Sequence, residues 1–212
     1  MQRFAIGDIH GCLDKLEDLL AKISATSDDI LIFLGDYIDR GNASKEVIDL
    51  LIEVASETRC VFLRGNHEDM LLEFIEYGTN SPMFFSNGGD MTIESYTKGR
   101  PDQNIADALP EAHKKFFADL KWSYEDDDYI YVHAGIRPGI PLNLQEHSDL
   151  IWIRDEFVSS PTGLNKKVIF GHTSFTVPLV KPDKIGIDTG AGYGRALTAV
   201  KLPELEFLQS FV

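Results

Sequence analysis

A chain of 212 residues with 43% apolar and 10% aromatic residues can bury a sizeable core, which excludes a disordered segment. Its formal net charge of −14 excludes a nucleic-acid-binding face built on clustered Lys and Arg, and it favours drawing in cations. No apolar run approaches the ~20 residues of a membrane span, and with the first motif starting at Gly7 no signal peptide is expected. Cys12 and Cys60 have no C-x-x-C spacing and read as small packing residues, so a cytoplasmic, reducing location with no membrane partner is expected.

Phe4 to Ile6 reads as a short strand, the loop Gly7-Asp8-Ile9-His10-Gly11 follows, and Leu13, Leu16, Leu19, Leu20 and Ile23 then recur at helical spacing. The unit repeats. Ile30 to Leu34 is a continuous apolar strand, Gly35-Asp36-Tyr37-Ile38-Asp39-Arg40-Gly41 is the loop, and Val47, Ile48, Leu51 and Ile52 mark a helix with Ser44 as its expected N-cap. Cys60 to Leu63 gives a third strand, Gly65-Asn66-His67-Glu68 a third loop, and Met70, Leu71, Phe74 and Ile75 a third helix. This β-α alternation predicts a largely parallel sheet over the first 77 residues.

From 78 to 128 the alternation stops, and the segment reads as a helical cap insert, with a helix over Glu111 to Leu120 and a solvated turn at Glu125 to Asp128. Tyr129 to Val132, Val168 to Phe170, Ile185 to Ile187, Leu197 to Val200 and Leu205 to Leu208 then read as strands between Gly, Pro and Asp turns. The whole, 1–212, is expected to be one domain of the α/β (α+β) class, two sheets packed face to face with helices outside.

Five of these strands run directly into a residue of metal-ligand type. Asp8 and His10, two apart, are expected to project to one side of an extended strand end and to hold one ion. A carboxylate with an imidazole suits Mn, Fe or Zn better than Ca or Mg. Asp36 can bridge two cations ~3.5–4 Å apart, the separation typical of binuclear hydrolases. Asn66 offers a neutral oxygen to a second ion, and His133 and His172 complete the set. His113 and His147 follow no strand and read as surface residues.

The blocks G-D-I-H-G, G-D-Y-I-D-R-G and L-R-G-N-H-E resemble the signatures of PPP-type serine/threonine protein phosphatases, in the calcineurin-like metallophosphoesterase superfamily. His133-Ala134-Gly135, Gly171-His172-Thr173 and the stretch from Ile187 to Thr198 resemble its bacterial and phage branch. The resemblance implies a four-layer metallophosphoesterase sandwich with two divalent ions, manganese foremost and iron or zinc as alternatives. Asp8, His10 and Asp36 would hold the first ion, and Asp36, Asn66, His133 and His172 the second. It further implies that His67 is the general acid, oriented by Asp39, and that Arg40 and Arg154 grip the substrate phosphate beside Asn66.

The expected activity is hydrolysis of phosphomonoesters, with a phosphorylated protein or a small phosphoester or nucleotide as substrate and no nucleic acid as partner. Asp39 and Glu68 favour a serine/threonine protein phosphatase. The alternatives are a symmetrical diadenosine tetraphosphatase, which shares the H-A-G and G-H-T blocks, and an inactive scaffold that binds phosphoproteins.

Overall fold

Alternate residues of the short apolar strands bury in different directions, and this sets the layering. In the computed structural model, which describes residues 1–77, 82–100 and 102–212, the strand β2 (Ile30–Phe33) is buried throughout. Its Ile30 and Ile32 join a core shared between two sheets, whereas Leu31 and Phe33 join a core under the helices. Successive strand residues point to opposite faces, so a strand covered on both sides reads as one continuous apolar run.

Among the described residues the first sheet has the order β10-β9-β1-β2-β3, with β1 (Arg3–Ile6), β3 (Arg59–Phe62), β9 (Leu197–Leu202) and β10 (Glu206–Ser210). The strands β1, β2 and β3 are parallel, as the β-α alternation predicts, and β9 adds antiparallel to β1. The second sheet, β4-β5-β6-β8-β7, contains β4 (Ser123–Glu125), β5 (Tyr129–Val132), β6 (Lys167–Phe170), β7 (Leu179–Val180) and β8 (Lys184–Gly186). There β5, β6 and β8 are parallel.

Ala5, Ile30, Ile32 and Val61 of the first sheet pack against Tyr131, Ile169 and Ile185 of the second. On the outer face of the first sheet lie α1 (Leu13–Ile23), α2 (Ser44–Glu57) and α3 (Asn66–Tyr77), with the insert helices α4 (Pro82–Ser86), α5 (Gly89–Thr97), α6 (Ile105–Ala108) and α7 (Glu111–Ala118). The outer face of the second sheet packs on α8 (His147–Trp152) and α9 (Asp155–Ser159) through Leu150, Ile151 and Phe157. The result is the expected helix-sheet-sheet-helix sandwich.

Three local expectations change. Ser44 opens α2 rather than capping it, and no side chain caps that helix; the Ser44 hydroxyl instead accepts the Asp39 N–H at 3.1 Å. Ser123–Glu125, placed within the insert on sequence grounds, is a strand paired with β5, so the helical cover ends earlier than residue 128. Its expected start at 78 lies outside the described residues. His113, expected at the surface, is buried between Tyr96 and Asp49, with ring nitrogens 2.8 Å from each, because two polar partners offset its desolvation. Cys12 and Cys60 are unpaired and half-buried. Among the described residues no helix is long and apolar enough to cross a membrane.

Candidate metal centre

The carboxyl ends of β1, β2 and β3 in one sheet, and of β5, β6 and β8 in the other, deliver six loops to one place. Asp8 and His10 follow β1, Asp36 follows β2, Asn66 and His67 open α3 after β3, His133 follows β5 and His172 follows β6. All are buried. The expectation that Asp8 and His10 share one side of an extended strand does not hold: β1 ends at Ile6, and His10 has φ +52°.

Left-handed backbone is the rule here. Of the eight described non-glycine residues with positive φ, five are His10, Asp36, Asp39, Arg40 and His172. Each such residue is strained and persists only where its surroundings over-determine it. Gly171 shows how tight those surroundings are, since a Cβ there would run into Asp8 Oδ1.

Asp36 directs its two oxygens to different partners, Oδ1 to His133 Nε2 at 3.3 Å and Oδ2 to His10 Nε2 at 3.5 Å. Hydrogen bonds to backbone carbonyls set the tautomers of both rings: His10 Nδ1–H donates to Ile38 O and His133 Nδ1–H to Leu34 O, each at 2.9 Å. Each Nε2 is therefore unprotonated and presents its lone pair to the site. Around His133 Nε2 stand two further acceptors, Asn66 Oδ1 at 3.0 Å and Asp36 Oδ1. Among the described residues the buried His172 Nε2 has no hydrogen-bond partner. Lone pairs converging with no proton between them are costly unless a cation sits among them, so the donor set fits metal ions.

The electrostatics agree. Burial, followed by the neighbouring Asp188 and Asp36 carboxylates, drives Asp8 well above the usual carboxylate range, a situation that a bound cation reverses. Burial and then His133 bring the His172 imidazole down to about 2. Burial likewise holds His10 and His133 below their ordinary values, which keeps these rings neutral and able to ligate.

Of the residues expected at the site, His10 and Asp36 lie with His67 in one group whose potential ligand atoms are within 4.8 Å of one another, and Asp36, His133 and His172 form another. Asp8, expected to share an ion with His10 and Asp36, is close enough to Asp36 for the two charges to interact, and it also accepts the His172 N–H at 2.9 Å. Arg40 donates from Nη1 to His10 Nε2 and from Nη2 to His67 Nε2, the latter at 3.0 Å, and its guanidinium lies 4.6 Å from the centre of the Tyr193 ring. A cation thus already leans on both imidazoles. Arg154, exposed at the rim, donates to the His172 carbonyl at 3.2 Å.

His67 Nδ1–H donates to Asp39 Oδ2 at 2.6 Å. Burial opposes its proton, but the charge of Asp36 and the bond to Asp39 outweigh that and hold the ring above its ordinary value. Glu68 is engaged by the backbone: its carboxylate accepts the N–H groups of Asp36, Tyr37 and Gly65 at 2.9, 2.8 and 3.0 Å.

Sequence reasoning missed two residues. Asp188, buried after β8, accepts Ser174 Oγ–H at 2.5 Å and the Gly190 N–H at 2.8 Å. The rule that located the others, an apolar strand running into a ligand-type residue, applies equally to Ile185-Gly186-Ile187-Asp188. Thr92, on α5, donates to Asp39 Oδ1 at 2.6 Å, and no local signal marks it.

A family model described as calcineurin-like phosphoesterase matches residues 1–206. The chain is 27% identical over 232 residues to a protein of Halalkalibacterium halodurans named bis(5'-nucleosyl)-tetraphosphatase PrpE (asymmetrical), covering 98% of this chain and 93% of that one. It is equally 27% identical, over 228 residues, to the protein of the same name from Oceanobacillus iheyensis, covering 96% and 89%. A solved structure provisionally assigned as a diadenosine tetraphosphatase superposes with a TM-score of 0.75 at 23% identity, covering 98% of this chain and 92% of that one, which supports the fold.

Proposed function

The chain belongs to the calcineurin-like phosphoesterase family, whose members are phosphoester hydrolases with a binuclear divalent metal centre, and on that premise we propose that its substrate is a dinucleoside tetraphosphate. The observation that carries this reading is the near full-length similarity to proteins named as asymmetrical bis(5'-nucleosyl)-tetraphosphatases. The similarity favours the nucleotide alternative over a protein phosphatase. Asp39 and Glu68, which argued for the latter, bond to His67 and to backbone N–H groups, so neither reports on what lies beyond the scissile phosphate.

In this reading Asp8, His10 and Asp36 hold one ion and Asp36, Asn66, His133 and His172 the other. When bound, such a pair lowers the pKa of a water from 15.7 toward ~7 and neutralises charge on phosphoryl oxygens. The chain's own residues supply the rest. Arg40 turns its guanidinium from the two imidazoles to a phosphate, which it grips through two oxygens, and Arg154 adds a second positive group at the rim. A polyphosphate bridge needs this, because the chain as a whole carries −14.

With Arg40 engaged elsewhere, His67 Nε2 is free to carry a proton to the departing oxygen, while Nδ1–H stays on Asp39. Water adds to phosphorus, one P–O bond breaks, and the leaving phosphate takes the proton. Asymmetrical cleavage of diadenosine tetraphosphate then yields ATP and AMP.

The test compares diadenosine tetraphosphate with phosphoserine and phosphotyrosine peptides under identical divalent-cation supplementation, with products separated by chromatography and metal content read by elemental analysis. ATP and AMP released faster than peptide phosphate is the expected result. Faster peptide turnover would return the function to a protein phosphatase, ADP as sole product would make cleavage symmetrical, and failure to take up metal would leave only the scaffold.

A further inference from the structure

We propose that Thr92, on α5 of the helical insert, is a positioning residue that locks Asp39 and through it aims His67. The hydroxyl makes two bonds to one residue 53 positions away: it donates to Asp39 Oδ1 at 2.6 Å and accepts the Asp39 backbone N–H at 2.9 Å. Ser44 Oγ lies 3.0 Å from the same hydroxyl and shares that N–H at 3.1 Å. Asp39, Ser44 and Thr92 have no exposed surface, so no water substitutes for a lost partner.

The division of the carboxylate is what matters. With Oδ1 taken by Thr92, Oδ2 is the oxygen left for His67 Nδ1–H, at 2.6 Å. That bond fixes the ring's orientation and tautomer and leaves Nε2 facing the site.

The insert grips the same turn at a second point. Asp39 and Arg40 sit at φ +70° and +67°, and the Arg40 N–H donates to Gly88 O at 3.2 Å, where Gly88 directly precedes α5. Gly88 itself, at φ +92°, is packed so closely that a Cβ would lie 2.8 Å from the Arg40 backbone nitrogen. Two adjacent strained residues are thus held from outside by one short stretch of the cover. Through these contacts the cover acts on the turn that aims His67.

This inference rests on reading His67 as the proton donor, so the test measures both. Thr92→Val keeps the shape and removes the hydroxyl, Thr92→Ser keeps the hydroxyl, and His67→Asn removes the donor. Each is assayed on an alkyl phosphate, whose leaving oxygen is strongly basic, and on p-nitrophenyl phosphate, whose leaving oxygen is not.

Thr92→Val is expected to lower kcat on the alkyl ester about 10- to 100-fold with KM within about twofold, and on the nitrophenyl ester less than about threefold. Thr92→Ser is expected to return both to within about threefold of the parent. Equal losses on both esters, equal losses in the Val and Ser variants, or no loss in Thr92→Val would each overturn the role of Thr92 while His67→Asn still discriminates between the esters. If His67→Asn itself treats both esters alike, the proton-donor reading falls and the role of Thr92 falls with it.

Discussion

The carboxylate of Glu68 accepts the backbone N–H of Asp36 at 2.9 Å, so the aspartate whose oxygens face two different histidines is held from behind by the first turn of α3. The same carboxylate satisfies the N–H groups of Tyr37 and Gly65. Glu68→Ala leaves three buried donors unpaired, which at about 1–3 kcal/mol each gives a loss of at least about 3 kcal/mol. The melting temperature is expected to fall by about 6–12 °C. A melt within about 2 °C of the parent's would mean that those N–H groups find other acceptors.

Asp36→Asn removes charge from both halves of the proposed centre, because Oδ1 faces His133 and Oδ2 faces His10. Affinity for both ions is expected to drop by at least about tenfold. His172→Asn should weaken only one. Elemental analysis after dialysis against limiting metal separates the two patterns, and loss of a single ion from Asp36→Asn would refute the bridge.

The stability of the ion-free protein should depend on pH through His172. Burial and His133 bring its folded pKa to about 2, against 6.5 in the unfolded chain. Between these values the unfolded chain holds a proton that the folded one lacks, so this contribution to stability is lost as pH falls below about 6.5. The slope is at most about 1.4 kcal/mol per pH unit. His172→Asn should flatten the dependence by that one proton in urea titrations from pH 5 to 7 with chelator present. Unchanged slopes would mean that the folded ring is already protonated.

Tyr193 lies beneath the Arg40 guanidinium at 4.6 Å and is 61% exposed. Exposed cation–π pairs contribute about 0.5–1 kcal/mol, so Tyr193→Ala is expected to raise KM about two- to fivefold, while Tyr193→Phe stays near the parent. Initial-rate kinetics on the tetraphosphate substrate check this. An unchanged KM in the alanine variant would mean that Arg40 needs no stacking partner.

Much of the site was legible because its logic is local. An apolar run that becomes Asp, Asn or His marks a strand end, and five of the six strand ends around the centre were identified that way from neighbouring residues alone. Asp188 obeys the same rule, but Gly186 breaks the apolar run that leads into it. What could not be read is the backbone: His10, Asp36 and His172 look like continuations of strands, yet all three turn left-handed. The cost of that conformation is offset by packing that no window of sequence displays. His113 and Thr92 were invisible for the same reason, since each is polar and bonds to a partner, 64 and 53 residues distant respectively.

The sequence by itself determined the layers, the parallel run of the first three strands and the identity of most residues at the loop ends, since alternation and spacing act over a few residues. Only the tertiary structure decided which oxygen of Asp36 faces which histidine, that Asp8 reaches across 164 residues to the His172 N–H, and that the helical cover bonds to Asp39. Those contacts depend on how strained turns fold back on distant elements, and no interaction between sequence neighbours encodes the distance.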